Sequence, residues 1–254
     1  MQFNFELVDE QSVDDLRKFL ARAIRMDAAG QVRLRAFGDI LTAFVAPLYV
    51  AEQTRSTDGG LTVLGLRTIA LATPAEFDVA LPIATLDKIL SGQSDDEQPL
   101  SLSERLERLA NLGRGGNKAK AFVVDDTVAP EAWFDEAVPR SGWVERGTIA
   151  EPELTKTARD GVAEVTTVLP TSVGGPIAAR IRAEIWSRPI DYTVPVPAGA
   201  AFVAAGLGFL TEGEIVPWFI SGDWIRLSSE HGHVLAHKAH TYLTEDEQRA
   251  QGLL

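Results

Sequence analysis

Between Gln31 and Phe37 the chain alternates strictly: Val32, Leu34 and Ala36 are apolar, and Arg33 and Arg35 between them are cationic. A period of two puts the apolar set on one face of a strand and the arginines on the other. A one-residue slip in pairing would bury two guanidinium groups, so such a strand has one admissible register in a sheet covered on one side. One-face burial of this kind is typical of antiparallel sheets. Ile40 to Val50 and Leu61 to Leu71 extend the pattern as two more strands, and Phe77 to Leu81 as a fourth. Gly38-Asp39 and Gly59-Gly60 are turn signals between them.

Helical periodicity flanks this meander. Ser12 opens a helix in which Val13, Leu16, Leu20, Ala23 and Ile24 share a side, and Gly30 stands where a C′ glycine would end it. A second, short helix runs from Ala84 to Leu90. The next stretch, 91–99, is polar and acidic with no apolar residue, and it reads as a linker. The expected organisation is an N-terminal domain over 1–90, the linker, and a C-terminal domain over 100–254. A chain of 254 residues suits two such units.

Beyond the linker, Ser101 and Glu104 form a capping-box pattern ahead of a helix to Leu112. Ala119 to Asp125 reads as a strand, and Trp133 to Trp143 as an irregular aromatic stretch. Two helices follow, one with Pro152 in its first turn and one starting at Pro176. Ala198 to Leu210 is a small-residue helix in which Ala200, Ala204 and Gly208 allow a neighbouring backbone to approach. Ile215–Ser221, Trp224–Ser228 and His233–Lys238 form a second meander, and Thr244 and Glu247 cap a terminal helix. The fold class is α+β: two helix/antiparallel-meander/helix units with a helical middle section. The shared outline, with Gly-Asp at 38–39 and 222–223, suggests a diverged duplication.

Val32-Arg33-Leu34-Arg35-Ala36, Val63-Leu64-Gly65-Leu66-Arg67, Pro139-Arg140-Ser141-Gly142-Trp143 and Ile185-Trp186-Ser187-Arg188-Pro189 are similar to segments of an uncharacterised protein family of actinobacteria. The resemblance covers most of the chain. It implies a bacterial cytoplasmic protein and brings no activity with it.

Composition narrows the function classes. The chain has no cysteine, which excludes disulfides and thiolate metal sites. A net charge of -12 argues against a role in coating nucleic acid. No run of about 18 apolar residues exists, and the first residues lack a signal-peptide pattern, so neither a membrane partner nor export is expected. No Gly-x-Ser-x-Gly elbow and no P-loop ending is present, and no catalytic residue is assigned.

Two clusters remain. Lys18, Arg22 and Arg25 form a stripe on the first helix, and Arg33 and Arg35 share a strand face. Together this basic island over 17–35 could hold a phosphate, a nucleotide or an acidic partner. The competing reading is a solvated face paired with nearby carboxylates. All four histidines lie close together, and His231, His233 and His237 would share a strand face, with His240 beyond. Imidazoles so placed suit a divalent transition metal if further ligands converge. The leading expectation is a non-catalytic cytoplasmic interaction or structural protein, a homo-oligomer or one with a protein partner, and without a cofactor. A metal-dependent enzyme or sensor and an anion or nucleotide binder are the alternatives.

Overall fold

The computed structural model describes residues 2–49, 60–92, 119–125, 127–135, 137–169 and 175–238. Its elements are β1 (Phe3–Leu7), α1 (Glu10–Met26), β2 (Gln31–Leu48), β3 (Leu61–Pro82), α2 (Ile83–Ser91), β4 (Lys120–Val124), a 3-10 turn (Ala132–Asp135) and β5 (Val144–Ala150). Then come α3 (Glu151–Val168), α4 (Gly175–Ser187), β6 (Pro189–Asp191), β7 (Val194–Pro197), α5 (Ala198–Gly206), β8 (Ile215–Ser221), β9 (Trp224–Ser229) and β10 (Gly232–Lys238). The class is α+β, with helices on an antiparallel sheet. The helix expected over 101–112, most of the linker and the terminal capping box lie outside the described residues.

β3 is the spine. One of its edges carries β2 from Leu48↔Val63 to Gln31↔Pro82. The other carries β10 along Leu61–Leu66 and then β1 at Leu71. The sheet runs β4-β1-β3-β10-β9-β8-β5, so the early and late meanders form one hydrogen-bonded surface. The main core is also continuous: Leu16, Leu20, Leu34, Leu81 and Leu86 pack in one cluster with Leu154, Val203, Leu207 and Val234.

Gly38-Asp39 does not turn the chain. β2 runs on through it, and the register against β3 shifts between Gly38 and Ile40, with Gly38 at φ 60°. The buried residues reveal the bulge, since they change from Val32, Leu34 and Ala36 to Leu41, Ala43 and Val45. Between the pairs flanking the shift β2 advances from Gly38 to Ile40 while β3 runs from Ala75 to Ala70, an odd difference that reverses the parity and lets both halves face the same core. The same dipeptide at Gly222-Asp223 is a two-residue hairpin loop, closed by Ser221↔Trp224 with Gly222 at φ 56°. Its flanking residues pair with each other, whereas Phe37 and Ile40, which flank Gly38-Asp39, both pair with β3.

Two helix ends also differ from expectation. α1 is capped by Asp9, whose carboxylate accepts from the Ser12 backbone N and from Ser12 Oγ, both at 2.7 Å. Ser12 is therefore inside the first turn, and the cap lies three residues earlier. At the far end Asp27 caps the helix, and its side chain together with Ile83 would crowd a Cβ at Gly30. α5 ends at Gly206, short of Leu210. Its buried Ala200 and Ala204 lie in the core, and Leu207 just beyond packs directly against Gly65 of β3.

Candidate functional site

The basic island divides. Val32 and Leu34 point into the core that α1 covers, so Arg33 and Arg35 project from the opposite face of the sheet. On the helix side, Lys18 stands 3.7 Å from Asp15, and Arg17 3.6 Å from Asp87. Arg25 is exposed in the last turn of α1. Arg22 turns inward, and its Nη1 donates to Leu207 O at 3.0 Å and Gly208 O at 3.1 Å. A guanidinium there satisfies carbonyls at the negative end of α5. Arg67 is on this side too, donating to Asp15 at 3.3 Å and to His231 O.

On the outer face, Arg33 grips Asp78 through Nε and Nη2, each at 2.7 Å, and donates from Nη1 to Phe134 O at 2.8 Å. Arg35 is 3.8 Å from the same carboxylate. The five cations singled out in the sequence therefore do not converge on one ligand.

The histidines separate as well. His231 occupies the turn between β9 and β10 and is exposed. His233 and His237 point to the outer face, opposite the buried Val234 and Ala236. His237 stacks on Trp224, with ring centroids 4.8 Å apart. His233 faces Ser228 across the ladder, and burial, then Arg226 and Arg67, hold its pKa below the usual 6.5. Among the described residues His233 Nδ1, Ser228 Oγ and Arg226 Nε are buried without a hydrogen-bond partner. No group of three His, Cys, Asp or Glu among the described residues could hold a metal ion, and His240 lies outside them.

The outer face has its own smaller core: Ala46, Leu64 and Leu235 of the sheet with Trp133 and Trp224. Residues 127–143 cross it as a strap, apart from position 136, which is not described. Val128 N donates to Ala80 O at 2.9 Å, Gln31 bonds Ala129 O and Glu131 N, and Ser221 Oγ reaches Ser141 O at 3.1 Å. Arg226 lies between the rings of Trp143 and Phe219, 4.6 Å from each centroid. Glu131 accepts from Trp133 Nε1 at 2.7 Å. Burial and the charge of Glu131 push the Tyr49 hydroxyl up to about 12.

The strap leaves an open cleft of about 310 Å³ against the sheet. Arg33, Arg35, Phe44 and Leu64 form the sheet side, and Trp133, Phe134, Asp135 and Val138 the strap side. Its size is at the lower end of small-molecule sites. Sequence reading found its two arginines and its aromatic stretch separately. Their juxtaposition depends on contacts about a hundred residues apart, such as Arg33 to Phe134.

Residues 1–106 match the family model described as "Domain of unknown function (DUF8010)", and residues 138–241 match "Domain of unknown function (DUF8185)". No curated protein matches the chain. Among solved structures the chain is similar to the DNA polymerase sliding clamp of Caulobacter crescentus, at 12% identity and TM-score 0.42, covering 98% of this chain and 68% of the clamp. Similar values hold for the DNA polymerase III subunit beta of Pseudomonas aeruginosa (11%, TM-score 0.43, 98% and 68%). The DnaN sliding clamp of Bartonella birtlesii, solved bound to griselimycin, gives 13%, TM-score 0.45, and again 98% and 68%. With TM-scores below 0.5, these likenesses are no guide to what this chain binds. No helix among the described residues is long and apolar enough to cross a membrane.

Proposed function

We propose that the chain is a non-catalytic cytoplasmic interaction protein that self-associates through the edge of its sheet at β4. The supporting observation is the state of that edge. β4 pairs with β1 over five consecutive residues, Phe3↔Val124 to Leu7↔Lys120, and with no other strand among the described residues. Its outward backbone groups form a row able to accept another strand. Val123 is 44% exposed beside them, and Lys120 is the strand's one charge.

The opposite edge is less suited. β5 has a register shift between Glu145 and Gly147, with adjacent charges at Glu145 and Arg146. Bulges and charges are devices that keep edges from pairing. Antiparallel pairing of β4 with its copy about Phe122 sets Lys120 opposite Val124 and brings no like charges together. That arrangement is a closed two-fold dimer.

Native mass spectrometry and light scattering on tag-free protein test this reading. A dimer is expected, and Val123→Lys is expected to return it to monomer with an unchanged circular dichroism spectrum. A wild-type monomer at about 100 µM, weaker than a useful association of this kind, would overturn the proposal. A dimer unaffected by Val123→Lys would remove β4 from it.

A further inference from the structure

The cleft beneath the strap is lined by two arginines, Arg33 and Arg35, that share the Asp78 carboxylate unequally. Arg33 is committed, since Asp78 holds its Nε and Nη2 and Phe134 O its Nη1. Asp78 is thereby occupied, and Arg35 approaches it only to 3.8 Å. No hydrogen bond from the Arg35 guanidinium to a described residue accompanies that contact, and the side chain is 35% exposed. It lines the same cleft as the Phe44 and Phe134 rings and Leu64.

We infer that this cleft binds a small monocarboxylate carrying a planar or apolar body. Arg35 supplies a planar fork of donors that matches a carboxylate. Phe44, Phe134, Leu64 and Val138 supply the wall for the body, the usual composition of a small-molecule site. Charge balance selects against the larger anions expected of the island as a whole. Among the described residues, Asp135 lines the cleft and Asp78 borders it, so these two carboxylates offset Arg33 and Arg35. A nucleotide triphosphate would bring several negative charges next to both acids, whereas a monocarboxylate needs only Arg35.

The test is calorimetric titration of the full chain with indole-3-propionate, its neutral amide, and ATP. The acid is expected to bind at least about tenfold more tightly than the amide, the margin of one charge-assisted contact. Arg35→Gln is expected to remove that margin. Ala137→Trp, which fills the space beside Val138, is expected to abolish both without altering the melting temperature. Failure of the acid to bind at millimolar concentration, equal binding of acid and amide, or tighter binding of ATP would overturn the inference. An Arg35→Gln protein that still prefers the acid would do the same. None of these readouts depends on whether the chain dimerises.

Discussion

Arg22, in the middle of α1, donates from one nitrogen to Leu207 O at 3.0 Å and to Gly208 O at 3.1 Å, tying the first helix to the C-terminal end of α5 across 185 residues of sequence. Around it Met26 packs against Gly206, and Phe19 stacks on Phe209 with centroids 5.9 Å apart. The contact joins the two parts of the chain on the helical side of the sheet, as β3 and β10 do within it.

Arg22→Ala is expected to lower stability by about 1–3 kcal/mol, because partly buried carbonyls at a helix terminus lose a charged donor. Arg22→Lys restores part of the loss, since one ammonium can still reach a carbonyl. Urea unfolding followed by circular dichroism checks both, and a loss confined to a few tenths would show that water replaces the guanidinium.

Asp78→Asn is expected to loosen the strap. Arg33 then loses a bidentate partner and competes less well for Phe134 O. A double-mutant cycle between Arg33→Ala and Asp78→Ala should give a coupling of about 1 kcal/mol, since the pair is only partly shielded from water. Limited proteolysis within 127–143 should quicken in both single variants.

Stability should fall in mild acid through His233. Its folded pKa lies below the ordinary 6.5, so the unfolded chain binds the extra proton first. The contribution is complete above pH 6.5 and is lost as the pH falls from there toward the depressed folded value. In urea titrations between about pH 5 and 8, His233→Gln should show a flatter dependence than the parent across that window. Parallel curves for the two proteins would remove His233 as the cause.

Gly65→Ala should cost more than Gly38→Ala. A Cβ at Gly65 overlaps the buried Leu207 side chain, and overpacking of this kind costs about 1–3 kcal/mol. At Gly38 a Cβ meets nothing, and the penalty is the positive φ alone, about 1 kcal/mol. Thermal unfolding of the two variants ranks them directly.

Local patterns made much of this readable. The positions of α1 and α2, the alternation of β2 and the second meander follow from periods of 3.6 and 2 within short windows. What failed locally was punctuation. Gly38-Asp39 and Gly222-Asp223 are identical dipeptides with different structures, because a continuous partner strand turns one into a bulge. The histidines illustrate the same limit. Spacing predicted a shared face for three, but the turn takes His231 away, and Trp224 and Arg226 of β9 shape the surroundings of His237 and His233.

From its own residues the chain determined that Arg33 and Arg35 share a strand face opposite Val32 and Leu34, and that Arg22 lies on the preceding helix. It also determined an acidic, cysteine-free surface. Tertiary structure alone decided that Arg22 would close another helix, that Arg33 would be held by Asp78, and that Arg35 would line a cleft with Phe44 and Phe134. The physical reason is range. Side-chain periodicity is set by backbone geometry within a few residues, whereas partners are set by sheet register and helix packing across the whole chain.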